Sequence, residues 1–170
     1  MSKAAIFGGL KFEAFKESDI NTFTPVMKAA FDHDVYVHTG KKEGGPTGYD
    51  NGDLFRKYYL DEDFTSFKIS KNGKSVGGLC VKINTDKINY LANIFIDPKM
   101  QGQNLGKIIW DFAEQTFPDT IKWTTETPAF SRRNHHFYVN KCGFKIVRIG
   151  NPKSDDDTGI YFMEKDMNYT

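Results

Sequence analysis

The chain has 170 residues, of which 39% are hydrophobic, including 15 Phe, which is enough to bury a core without covalent staples. A formal net charge of +1 argues against a surface built for nucleic acid or anionic membrane. Two cysteines, Cys80 and Cys142, with no CxxC spacing argue against a disulfide scaffold or a zinc ribbon. No apolar run approaches the ~18 residues of a membrane span, and residues 1–6 lack the apolar stretch of a signal peptide. The expectation is one domain over residues 1–170 in a reducing, cytoplasmic setting, with no nucleic-acid or membrane partner.

Leu10, Phe12 and Phe15 alternate with polar residues and predict a first strand. Ser18 or Asp19 reads as an N-cap, and Ile20, Phe23, Val26, Met27, Ala30 and Phe31 follow at helical spacing. Residues 36–53 are rich in Gly and predict a long loop; residues 53–60 predict a short helix. Phe64 to Ser70 is strand-like, Asn72-Gly73 is a two-residue hairpin signal, and residues 75–84 supply the partner strand. Thr85-Asp86 predicts another turn, and residues 87–97 a third strand of the meander. A helix with Leu105, Ile108, Ile109, Phe112 and Ala113 on one face stops before Pro118. A strand over Ile121, Trp123 and Thr125, a helix over 130–141, a strand over 143–149, a turn at 155–159 and a last strand over 160–166 complete the chain. The order predicts an α+β fold on a mixed, mostly antiparallel sheet of about seven strands flanked by about four helices.

The segment from Ile88 to Lys107 carries most of the functional information. An apolar strand ends at Pro98, a polar glycine-containing turn follows, and an amphipathic helix begins. Backbone N–H groups at such a helix start have no internal partner and suit a phosphate. The P-loop is excluded by spacing, since only three residues separate Gly102 from Gly106 and Ile108 follows Lys107. The dinucleotide fingerprint is excluded by context, because the preceding strand ends an antiparallel meander.

The turn Gln101-Gly102-Gln103-Asn104-Leu105-Gly106 resembles the Gln/Arg-x-x-Gly-x-Gly/Ala motif of the GNAT superfamily of acyl-CoA-dependent N-acetyltransferases. Asn104 stands at the first motif glycine, and asparagine is among the few residues that tolerate positive φ. The upstream Ile94-Phe-Ile-Asp-Pro98 and the downstream Tyr138–Phe144 are similar to the family's apolar strand and its Tyr-x-x-x-Gly-Phe segment, the latter one residue longer here. The element order agrees over nearly the whole chain.

The resemblance implies acetyl-CoA as co-substrate and no metal. Backbone groups of Gln101, Gly102, Gln103, Asn104, Leu105, Gly106 and Lys107 would cradle its pyrophosphate. Ile94, Phe95 and Ile96 would pair with the pantetheine arm as an added strand, and Asn134 would help hold it. Tyr138 matches the family's general acid near the sulfur, and Glu126, ending the strand after the cofactor helix, is the candidate base. Arg132-Arg133 are candidates for the 3′-phosphate. Adjacent His135 and His136 point about 100° apart on a helix and cannot form an i, i+4 metal pair. Cys142 reads as core. Tyr49 and Asp50, in the long loop, are candidates for a lid over the amine, and Asp32, Asp34, Asp50 and Asp53 place acid where a cationic acceptor would suit it.

The resulting reading is an N-acetyltransferase acting by direct transfer from acetyl-CoA to a primary amine, a small molecule first. A non-catalytic acyl-CoA or metabolite-binding module and a protein or peptide N-acetyltransferase stay open as alternatives. A homodimer is compatible with the sequence, though no motif specifies one.

Overall fold

The computed structural model describes residues 3–153 and 158–167. In chain order the strands are β1 (Ala5–Phe7), β2 (Leu10–Ala14), β3 (Thr65–Lys71), β4 (Lys74–Lys82), β5 (Ile88–Ile96), β6 (Lys122–Pro128), β7 (Lys145–Gly150) and β8 (Ile160–Asp166). The helices are α1 (Ile20–Thr39), α2 (Leu105–Thr116) and α3 (Arg132–His135), with π-helical segments at Phe55–Tyr59 and His136–Lys141. The sheet order is β1-β2-β3-β4-β5-β6-β8-β7, antiparallel throughout except between β5 and β6. This is the expected α+β fold on a mixed, mostly antiparallel sheet, with an eighth strand.

The extra strand comes from a hairpin before Leu10. Gly8 and Gly9 both take positive φ, 57° and 79°, which lets β1 fold straight back on β2. Asn72 and Gly73 do the same between β3 and β4, with φ of 50° and 77°. The helix α1 runs past Tyr36 to Thr39 and stops where Gly40 adopts φ 76° and its N–H reaches the Tyr36 carbonyl. The long loop is therefore shorter than expected and begins at Gly40. Most of the expected turn at 155–159 lies outside the described residues.

Each face of the sheet carries its own core. On one face Phe12, Ile69, Leu79, Leu91 and Trp123 pack beneath Ile109, Trp110 and Ala113 of α2. On the other, Phe23 and Met27 of α1 join Phe15, Phe55, Tyr59, Cys80 and Phe95. Stacked rings close both layers, Phe12 on Phe112 at 3.7 Å and Phe15 on Phe55 at 4.6 Å.

The feature that shapes the site is a fork in the sheet. The strands β5 and β6 pair in register only at Ile88–Lys122, Asn89–Trp123 and Tyr90–Thr124. Beyond that the side chain of Thr125 reaches across to the Leu91 carbonyl at 2.9 Å, and the ladder ends. A bulge in β5 falls at the same place. Cys80 faces Asn93 and Val81 faces Leu91, so Ala92 is the extra residue. The bulge turns the strand while β4 continues to pair with it as far as Ile96. The closed end of the fork is pinned by buried Asn89, whose Nδ2 donates to Thr120 Oγ1 at 2.7 Å and whose Oδ1 accepts from the Asn84 N–H at 2.8 Å.

Candidate active site

The turn after β5 is built to keep donors free. A 3₁₀ turn at Pro98–Met100 hands the chain to Gln101, and Gly102 takes φ 81°, a conformation that favours glycine. Asn104 is the N-cap of α2 and adopts φ 59°, ψ 26°, as the sequence motif requires of that position. Its side chain makes no capping hydrogen bond. The first intrahelical bond runs from the Ile108 N–H to the Asn104 carbonyl, so the N–H groups of Leu105, Gly106 and Lys107 have no partner among the described residues. Gly106 serves packing as well as approach. A Cβ there would lie 2.9 Å from Phe137 Cε2 and 3.4 Å from Ile96 Cδ1.

These donors open onto a cavity of about 540 Å³ between α1, the splayed end of β5, the start of α2, and the segment from α3 through Lys141. Ile94, Phe95, Ile96, Gln101, Gly102, Asn104, Leu105, Gly106, Lys107, Asn134 and Tyr138 all line it. Two expected residues do not. Gln103 is exposed, and its Oε1 accepts from Lys71 Nζ at 2.9 Å. Glu126 sits on an exposed position of β6, where its Oε1 accepts from the Tyr90 hydroxyl at 3.2 Å. The reason is strand alternation: Thr125 and Thr127 of β6 face inward, which puts Glu126 on the other side of the sheet.

Tyr138 is 7% exposed and sits within the π-helical segment. The residue by which the Tyr138–Gly143 interval exceeds the family spacing is absorbed there, in the wide turn closed by the Cys142 N–H on the Phe137 carbonyl at 3.0 Å. Tyr138 thus keeps its place on the cavity wall. Burial first, then the neighbouring Cys142, Tyr90 and Asp34, push its phenol well above the ordinary range, so it stands as a protonated donor. Asn134, one turn earlier, donates from Nδ2 to Thr127 Oγ1 at 3.1 Å. Tyr59, also buried, donates to Asn93 Oδ1 at 2.7 Å, one residue past the bulge. Tyr59, in the π-helical segment Phe55–Tyr59, and Tyr90, on the paired part of β5, stand outside the cavity lining.

Arg132 and Arg133 line the cavity from α3. His135 turns away, its Nε2 on the Pro128 carbonyl at 3.1 Å and its ring against Tyr161. Among the described residues no group of three or more His, Cys, Asp or Glu could hold a metal ion. Cys142 is 3% exposed, and burial pushes its thiol up to about 12, as fits a core residue. Tyr49 does not form a lid. It is buried, and its hydroxyl donates to Asp32 at 2.7 Å, tying the loop down on α1.

The residues present fit a pyrophosphate on an extended arm. Free N–H groups stand at one end, with Lys107, Arg132, Arg133 and Lys141 on the walls. At the other end lies a strand edge released by the fork, with a protonated phenol near it.

Comparison with known proteins agrees. The model of the Acetyltransferase (GNAT) family matches residues 29–144. The chain is 37% identical over 145 residues to the uncharacterized protein YrkN of Bacillus subtilis, covering 82% of this chain and 75% of that protein. Its fold superposes on an acetyltransferase from Thermus thermophilus with a TM-score of 0.73 at 16% identity, covering 93% of this chain and 97% of that one. It superposes on spermidine N-acetyltransferase from Vibrio cholerae, a structure in complex with CoA and spermine, with a TM-score of 0.67 at 16% identity, covering 92% and 95%. At these identities the structural likeness is one of fold.

Proposed function

Because the chain belongs to the GNAT acetyltransferase family, we propose that it is an enzyme moving an acetyl group from acetyl-CoA directly to a primary amine of a small molecule. The observation that carries the reading is the juxtaposition of the fork between β5 and β6 with the uncapped start of α2. One offers an unpaired strand edge to an amide-bearing arm, and the other offers backbone donors to its phosphates.

In this reading the N–H groups of Leu105, Gly106 and Lys107 hold the pyrophosphate. The Ile94–Ile96 backbone pairs with the pantetheine arm, and an N–H of that edge polarises the thioester carbonyl. Glu126 stands outside the cavity with the Tyr90 hydroxyl on it, so the amine proton reaches it, or bulk solvent, through a chain of water molecules. Tyr138, on the cavity wall, gives its phenolic proton to the departing sulfur and regains one from solvent. The net proton passes from nitrogen to sulfur as the C–S bond gives way to C–N. The test is calorimetric titration with CoA, followed by thiol release from acetyl-CoA across a panel of amines. Binding with no thiol release from any amine returns the protein to a binding module.

A further inference from the structure

Of the four acidic residues that the sequence places near the acceptor end, only one reaches the cavity. Asp32 is spent on Lys28 Nζ, the Gly44 N–H and the Tyr49 hydroxyl. Asp53 pairs with Arg56, and Asp50 is exposed outside the lining. Asp34, two residues beyond Asp32 on α1 and so rotated by about 200°, is the one acidic residue among the described residues of the cavity wall. It is near enough to Tyr138 for its charge to raise that phenol.

The Asp34 carboxylate is held from behind by buried groups. Fully buried Ser131 donates its hydroxyl to Oδ1 at 3.0 Å. His38, one turn along α1 with its side chain 9% exposed, sets Nε2 at 3.4 Å from the same oxygen and has no hydrogen-bond partner. The other oxygen, Oδ2, has no partner among the described residues. Beside it on α1, Ala30 and Phe31 supply an apolar wall to the same cavity.

We infer, on the reading proposed above, that Asp34 is the anchor for the acceptor ammonium and that the acceptor is a monocation with an apolar body, not a polyamine. One carboxylate matches one positive charge, and Phe31 and Ala30 match a hydrocarbon or aryl group. The other charged side chains of the cavity, Lys107, Arg132, Arg133 and Lys141, are cationic. They suit the phosphates of the co-substrate and repel further charges on the acceptor. His38 and Ser131 are positioning residues, acting through Asp34.

The experiment compares 2-phenylethylamine, its neutral analogue 2-phenylethanol, and spermidine by calorimetry on the protein with and without CoA. The 2-phenylethylammonium ion is expected to bind about tenfold or more tightly than the alcohol, and no less tightly than spermidine. Asp34→Asn is expected to weaken it about tenfold while CoA affinity stays within about twofold; Asp34→Glu retains most of the binding. Ser131→Ala and His38→Gln are expected to weaken the ammonium by smaller factors and leave the alcohol unchanged. Equal binding by wild type and Asp34→Asn, no binding of 2-phenylethylamine at all, or a clear preference for spermidine each overturns the inference. Failure of the protein to bind CoA strikes the proposed function instead.

Discussion

Replacing Gly106 with alanine tests the cavity through its tightest contact. The new Cβ would lie 2.9 Å from Cε2 and 3.1 Å from Cζ of Phe137, and 3.4 Å from Ile96 Cδ1. Ordinary carbon contacts need about 3.5–4.0 Å, so the ring must retreat by roughly 0.5–1 Å. Phe137 lies against Tyr138, with ring centroids 5.2 Å apart, and both line the cavity, so the displacement narrows the space it has to yield. Overpacking of this kind costs about 1–3 kcal/mol, and better helix propensity returns about 1 kcal/mol. The net loss is about 0–2 kcal/mol, or up to ~8 °C in Tm for a chain of this size. Affinity for CoA should fall further than stability, by about tenfold or more, because the displaced ring borders the cavity that receives the ligand. Gly106→Trp should abolish binding. Gly102→Ala is the control: nothing lies within 4 Å of its Cβ position, so it carries backbone strain at φ 81° but leaves Phe137 alone. Thermal unfolding and calorimetry read both effects. Unchanged Tm and unchanged CoA affinity in Gly106→Ala would refute the assignment of this turn.

Three further outcomes are expected. Tyr138→Phe should lower kcat by about 10²–10⁴ with cofactor affinity nearly unchanged; full activity would make Tyr138 a packing residue only. Glu126→Gln should alter the acidic limb of the pH–rate profile, and an unaltered limb excludes it as the proton acceptor. Asp32→Asn should destabilise the protein near pH 7 by about 1–3 kcal/mol, read by thermal unfolding as a function of pH. Burial opposes ionisation of Asp32, but hydrogen bonds from Lys28, Tyr49 and the Gly44 N–H outweigh it and hold the carboxyl below its ordinary value. Its contribution is therefore present above the unfolded-state value and lost as pH falls through the folded one. The gap between variant and wild type should close in acid, and a gap independent of pH would contradict the clamp.

Much of the fold was legible because local chemistry and tertiary structure agree. Asn72-Gly73 specified its hairpin, and Asn104 takes the left-handed conformation that its place in the motif requires. The first hairpin is not legible because β1 is only three residues long, too short for strand alternation to show. The site was legible where it consists of consecutive backbone, from Ile94 to Lys107. It was not where it depends on which face a side chain takes. Asp32 and Asp34 look equivalent in sequence, yet one braces a loop and the other enters the cavity. The part of β5 that reaches the cavity, Ile94 to Ile96, follows one extra residue at Ala92, a register event that no spacing rule announces.

The fork also divides the molecule mechanically. The strands β1 to β5 form one sheet segment and β6, β8 and β7 another, joined along the ladder by three residue pairs. Beyond those pairs the seam is carried by helices and side chains. A ligand lying in the gap would act as a splint, bonding one segment directly and bracing the other through the α3 region. Such a seam makes the two segments separate candidates for local opening. Occupancy of the site is then also a measure of how far the protein unfolds as one body.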